Sequence, residues 1–372
     1  MKRTFSTLSA LLSVSVIALA GLLSGCAEPT PTAMEGDARA AIMPDANLVI
    51  YYDAASIRGA AIGEAFEGLG DNAGQLGADM QTQDLAQLQE QFKEITGLEN
   101  EDFSSFLMAM NLENIDFDAP EPPAFNELEM TLAVTLRQAV TGEQLVEFIR
   151  LAASEQGEEP EISESTHNGT TIYTVADADM DMEVEEGISF AMIGDNKVGL
   201  MGPKAALQDA IDRAASGQMA QLSPNMRALE QNIEAGTQAY ALFTMTEDMK
   251  QAIQEAPEAS PNDPMAGLQN VLPALEGASL GMRAGDTADL TLRCVFADNE
   301  NAEKMTAFLE NTVISTIRMF AGFMIGERPL PMLQNMEAAQ EDNHAYMRVV
   351  ISADDIQSLR ELLEQEMGGM QF

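Results

Sequence analysis

The sequence predicts an α+β protein of two related halves, each a largely antiparallel sheet covered by helices on one face. Three observations lead there. A unit of apolar strand, polar capping residue and amphipathic helix recurs along the chain. Asn168-Gly169, the strongest short hairpin code, separates two β-rich runs, and Asp195-Asn196 and Gly285-Asp286 give weaker turns of the same kind. An apolar fraction of 46% over 372 residues supplies core for two domains or one large one. Strand–helix alternation alone would suggest a parallel sheet, and the hairpin turns argue against it.

The elements follow in order. Leu48–Tyr52 is a strand, Asp53 a cap and Ala54–Leu69 a helix. Gln83–Gly97 places Leu85, Leu88, Phe92 and Ile95 on one stripe and stops at glycine. Met130–Arg137 is a strand before a Thr141/Gln144 capping box and a helix carrying Leu145, Phe148, Ile149 and Ala152. Val198–Met201 precedes Pro203 at the first helical position, then Leu207, Ile211 and Ala214, with Gly217 as the stop. Ser223-Pro224 starts a further helix at the join between halves. Beyond it, Ala239–Met245 leads to Thr246 and a helix through Ile253, and Leu290–Phe296 leads to Asp298 and a long helix. Tyr346–Ile351 leads to a Ser352/Asp355 capping box with Ile356, Leu359 and Leu363 behind it. Asp116–Phe125, with three prolines, and Ser260–Pro264 read as loops.

The N-terminus carries an address. Met1-Lys2-Arg3 is followed by an apolar run from Leu8 to Leu23 and then Leu23-Ser24-Gly25-Cys26. A basic start, an apolar core of roughly 15 residues and small residues before a cleavage point make a secretory signal. A spanning helix would need ~20 apolar residues. Leu-Ser-Gly-Cys resembles the lipobox of bacterial lipoproteins, which implies that the Cys26 thiol receives a diacylglycerol and that the chain is cut before it. Two or three acyl chains, palmitate among them, exceed the two-signal threshold for stable anchoring in a bilayer. Polar, proline-containing Ala27–Thr32 reads as a tether. Ala27 is not the aspartate that retains enteric-type lipoproteins at the inner membrane, so the resemblance favours the outer membrane in a diderm host. The expected organisation is residues 1–25 signal, 26–44 lipidated cysteine and tether, 45–218 first half and 219–372 second half.

Charge narrows the partners. Residues 1–25 hold Lys2 and Arg3 and no acid, so the chain after cleavage carries 17 basic and 60 acidic side chains. Such a field repels nucleic acid and anionic headgroups. A saline habitat or a divalent cation would relieve the self-repulsion. With Cys26 acylated, Cys294 has no disulfide partner. It shares a strand face with Leu290, Leu292 and Phe296 and reads as a buried small hydrophobe.

Candidate chemistry is sparse. Asp177, Asp179 and Asp181 have the opening spacing of a calcium loop, but Met182 and Ile188 stand where glycine and a bidentate glutamate are needed. The same run, continued to Glu186, alternates like a half-buried strand. Met108/Met110, Met180/Met182 and Met367/Met370 are spaced as thioether pairs for Cu(I), and methionine is equally a core filler. His167 and His344 lie beside a hairpin turn and before a strand, without zinc-site spacing. No nucleophile elbow, phosphate loop or dinucleotide fingerprint occurs, and no cofactor is implied. The helix Asn301–Ile325 broadens past Val313. There Met319, Phe320, Phe323 and Met324 are candidates to wall an apolar ligand or to dock a protein partner in the envelope.

Met43-Pro44-Asp45-Ala46 before a strand, and Gly202-Pro203-Lys204-Ala205-Ala206-Leu207 followed by Ala210, Ala214 and Gly217, resemble uncharacterised exported bacterial lipoproteins with duplicated α+β halves. The resemblance covers most of the chain after the signal and transfers no catalytic residue. The expectation is a lipid-anchored extracytoplasmic protein, non-enzymatic, that binds a partner or organises the envelope. The alternatives are a module for a ligand or divalent cation and an extracytoplasmic hydrolase.

Overall fold

The computed structural model describes residues 36–63, 82–113, 129–155, 160–176, 187–218, 220–255, 266–319, 331–358 and 361. The chain is α+β, and within each of its two units the described strands pair antiparallel. It divides into two compact units. The first holds residues up to Gly59 and Ala73–Leu222, the second Ala60–Asn72 and Ser223–Phe372.

In the first unit the short helix α1 (Gly36–Arg39) precedes β1 (Leu48–Asp53), α2 (Ala54–Arg58) and α3 (Thr82–Thr96). Next come the strands β2 (Phe103–Asn111) and β3 (Glu129–Leu136) and the helix α4 (Gly142–Glu155). Two hairpins follow, β4 (Glu161–His167) with β5 (Thr170–Ala176) and β6 (Ile188–Ile193) with β7 (Val198–Gly202), before α5 (Lys204–Ser216). The strand order is β1-β2-β3-β7-β6-β5-β4. Local chemistry sets the joints. Asn168 (φ 46°) and Gly169 (φ 82°) are both left-handed, the conformation a two-residue hairpin demands. The Thr141/Gln144 box forms, each backbone N–H donating to the other residue's side-chain oxygen at 3.0 and 3.3 Å.

Helices cover both faces of this sheet, a correction to the single covered face expected. Val146 and Ile149 of α4 pack with Tyr173, Val175, Ile188 and Phe190. On the opposite face α5 lies against β5, β6 and β7. There the Arg213 Nε donates to the Ala40 carbonyl at 2.9 Å and Thr131 Oγ1 to the Ala41 carbonyl at 2.6 Å. With both faces buried, β6 is apolar at five of its six positions and carries no polar-out alternation. Two smaller corrections follow. The helix expected over Ala54–Leu69 is interrupted after Arg58, with Gly59 as its cap and glycine a poor helix continuer; 61–63 are helical again, and 64–69 lie outside the described residues. Pro203 is the cap of α5, and Lys204 is the first helical residue.

The second unit starts with α6 (Pro224–Gln231), capped by the Ser223 hydroxyl, then β8 (Ala239–Thr244), α7 (Glu247–Glu255) and α8 (Ala266–Gln269). The hairpin β9 (Leu275–Ala284) and β10 (Thr287–Phe296) leads to α9 (Asn299–Phe308). A short helix α10 (Pro331–Gln334) and the hairpin β11 (Glu337–Glu341) with β12 (His344–Ser352) complete it, and residues 353–358 are again helical. The strand order is β8-β9-β10-β12-β11. One face buries Leu275, Cys294, Phe296, Met305 and Leu309 against α9. His344 is the first residue of β12 and not outside it, because β11 supplies a register partner in Glu341.

Candidate functional site

A cavity of about 100 Å³ lies inside the first unit, between the sheet and the α3–α4 pair. Its walls are Phe92 from α3, Phe148 from α4, Phe103 and Phe106 from β2, and Leu132 and Met192 from β3 and β6. Register explains the grouping. Phe106 pairs with Val134, Val134 with Gly199, and Gly199 with Met192, so these four positions share the sheet face beneath α4. Gly199 leaves a gap in that face: a Cβ there would meet the Met192 sulfur at 3.5 Å, and Met192 Cε and the Val134 carbonyl only at 4.0 Å. Phe92 and Phe148 brace the wall edge-to-face at 5.1 Å between centroids. Every side chain lining the cavity is apolar, so water in it would find few partners and an apolar group would bury without a polar penalty.

Burial governs the nearby ionisable groups. Arg58, 3% exposed, donates to the carbonyls of Glu101 and Phe103, and burial holds its pKa below the usual guanidinium value. Burial also raises the Tyr173 phenol, whose ring stacks on Phe190 at 5.1 Å.

The residues singled out from sequence fall elsewhere. Cys26, Asp177, Asp179, Asp181, Phe320, Phe323 and Met324 lie outside the described residues. Met319 is described, 69% exposed at the end of the helical run through residue 319, and does not line the cavity. Met108 and Met110 are half-buried and pack on the core around Phe92. His167 Nε2 lies 2.9 Å from Asp212 Oδ1, and His344 has its pKa lowered by burial and by Arg293. Cys294 is 7% exposed and burial pushes its thiol up to about 11, which leaves it protonated and unreactive at neutral pH. Among the described residues no group of three histidine, cysteine or acidic side chains could hold a metal ion. Among them also no helix is long and apolar enough to cross a membrane.

Sequence reasoning missed β2 and with it Phe103 and Phe106. The signal present was the apolar run Phe106–Met110, which has no alternation to identify it as a strand.

Neither a known family model nor a curated protein matches the chain. A solved structure of TP0453, in its crystal form I, is similar with 11% identity and a TM-score of 0.39, over 90% of this chain and 99% of that one. A score that low does not establish a shared fold.

Proposed function

We infer that this is a lipid-anchored extracytoplasmic binding protein, held to the bilayer through Cys26, whose first unit takes the apolar end of a ligand such as an acyl chain. The cavity beneath α4 is the observation that carries the reading: about 100 Å³, apolar on every side. An engineered apolar cavity of about 150 Å³ stays dry and binds benzene, so a hole of this order suits the end of a chain or a small ring. Extraction of a whole acyl chain would need the cavity to widen.

The same reading includes a duplication. In the first unit a strand and helices precede the hairpin β2–β3, α4, and the hairpin β6–β7, whose second strand pairs with β3. In the second unit a strand and helices precede the hairpin β9–β10, α9, and the hairpin β11–β12, whose second strand pairs with β10. Each final hairpin is followed by a helix. The first unit then differs by one added hairpin, β4–β5. This order supports two halves of common plan, of which the first has opened a cavity.

Two measurements test the function. Cys26→Ala should abolish incorporation of labelled fatty acid; labelling equal to wild type removes the anchor. Gly199→Leu should fill the cavity and abolish saturable binding of a fluorescent fatty acid to the chain from Ala27 onward, with little change in Tm. Undiminished binding in that variant would show that the fatty acid sits elsewhere.

A further inference from the structure

The second unit carries a polar groove that the reading above does not use. It lies where the turn after α6 meets the face of β9 and β10 opposite Cys294, with about 20 Å³ of free space beneath a mouth open to solvent. Arg283, Arg293, Asp289, Glu234, Ser279 and Thr291 are on its walls.

Pairing inside the groove is uneven. Arg283 bridges Glu234 Oε2 at 2.8 Å and Asp289 Oδ2 at 2.6 Å. Arg348 Nε donates to Asp289 Oδ1 at 2.8 Å, and its Nη2 reaches the second carboxylate oxygen. Both carboxylates are therefore consumed by two guanidinium groups. Arg293, half-buried, has no carboxylate within ion-pair distance among the described residues. In a chain with 60 acids and 19 bases, a half-buried guanidinium left unpaired beside an already neutralised cluster is unexpected. Glu337 stands opposite Arg348 in register, so the three guanidinium groups meet three carboxylates, and what sets Arg293 apart is that it is bridged to none of them. His344, which packs close enough to feel Arg293, is held toward its neutral form.

Donors converge beside it. Register pairs Arg293 with Ser279 and Thr291 with Gly281. Ser279, Thr291 and Arg293 thus share the sheet face, and at Gly281 the Thr237 side chain stands over the floor between them, 3.4 Å from where a Cβ would be. Ser279 is 4% exposed. A guanidinium fork with two hydroxyls is a donor set for an oxyanion, and arginine binds phosphate oxygens in pairs.

We propose that this groove binds a phosphate group, with Arg293 as the charged anchor and Ser279 and Thr291 as hydroxyl donors. A lipid headgroup and a free phosphate ester both present this group, and the recognition chemistry is the same. The chain's overall negative field opposes such a ligand, so binding rests on the unbridged Arg293 guanidinium and on moderate salt, about 0.15 M, where screening reaches about 8 Å.

The test uses the full lipidated chain in non-ionic detergent micelles, titrated at constant ionic strength with inorganic phosphate and, separately, with dihexanoyl-phosphatidylglycerol. The readout is the side-chain Nε–H resonance of Arg293. At least one probe should shift it saturably. Arg293→Gln should weaken that binding at least tenfold by calorimetry, whereas Arg150→Gln, an exposed arginine of the first unit, should leave it unchanged. Arg293→Lys, which keeps the charge, guards against a folding defect and should retain part of the affinity. Saturation by inorganic phosphate identifies a free ester as sufficient; saturation by the lipid alone identifies the headgroup. Either supports the site. No saturation by either probe to about 10 mM, or equal affinity in Arg293→Gln, overturns it.

Discussion

The two units solve the same problem with opposite sheet faces. In the first, β6 is buried at every position, and the face beneath α4 opens into an apolar cavity. In the second, the β9–β10–β12 face that turns away from α9 carries Arg283, Asp289, Arg293 and Arg348. A sheet covered on both sides has no need of charge, and stability comes from packing. A face left partly open must satisfy water or itself, and here it does so with a carboxylate clasped between two guanidinium groups. The comparison separates two sources of stability within one chain, and each can be struck alone.

The largest effect is expected in the first unit. Phe148 is 1% exposed and holds Phe92 edge-to-face over the cavity. Phe148→Ala should cost about 4 kcal/mol, the usual loss for a buried ring in a core that cannot collapse. Urea denaturation measures it. A loss below about 1 kcal/mol would mean that the cavity region is soft and that the apolar unit is not packed as described.

The caps were legible from sequence because their chemistry is local. Asp298 accepts from the Asn301 backbone at 2.8 Å, and Gly217 closes α5 with a left-handed φ of 65°. Each needs only a few neighbouring residues. The cavity was not legible, since it joins Phe92 to Met201 through four strands and two helices. The arginine face was half-legible: alternation in Asp289–Phe296 separates Asp289, Thr291 and Arg293 from the apolar side. Only register shows that Arg348 lies opposite Thr291 and Arg283 opposite Asp289. β11 escaped because Glu-Ala-Ala-Gln-Glu has little strand propensity; pairing with β12 places it.

Next in size is the ion cluster of the second unit. Arg348 and then Arg283 hold the Asp289 carboxyl below its ordinary value, against the opposing effect of burial. A depressed carboxylate contributes stability that is present above its unfolded pKa, about 3.9, and is lost as pH falls through the folded value. Asp289→Asn should therefore cost about 2 kcal/mol at pH 7, the scale of a charged hydrogen bond lost. The gap between variant and wild type should close below about pH 4. A difference that persists unchanged at pH 3 would assign the loss to shape and not to charge.

Cys294 offers a smaller, alkaline counterpart in the same unit. Burial raises its thiol to about 11, so the folded form favours the proton. That stability is complete below the unfolded pKa, about 8.5, and is lost as pH rises through the folded value, at about 1.4 kcal/mol per pH unit once above 8.5. Near pH 9.5 the expected loss is about 1.4 kcal/mol. Cys294→Ala should lack this part of the alkaline slope while being less stable at pH 7. An identical slope in both proteins would place the thiol in contact with water.

The smallest expected effect compares one motif in the two units. Thr141 and Ser352 both open capping boxes, but their settings differ. The Thr141–Gln144 box is exposed, with water free to replace either bond, and the Gln144 amide also donates to the Ile95 carbonyl at 2.9 Å. In the Ser352 box the partner is Asp355, 1% exposed, which also accepts from the Met332 N–H at 2.9 Å. Its carboxylate takes the Ser352 N–H at 2.9 Å and the Ser352 hydroxyl at 2.5 Å. Removing a hydroxyl from an exposed cap costs the bond alone, whereas removing it beside a buried carboxylate leaves an acceptor short of a donor. Thr141→Ala should cost about 0.5 kcal/mol and Ser352→Ala about 1 kcal/mol, both within the range for caps. Denaturation of the two variants side by side measures the difference. If Thr141→Ala proved the costlier, burial would not be what distinguishes the boxes, and the cap of α4 would owe its strength to the packed helix behind it.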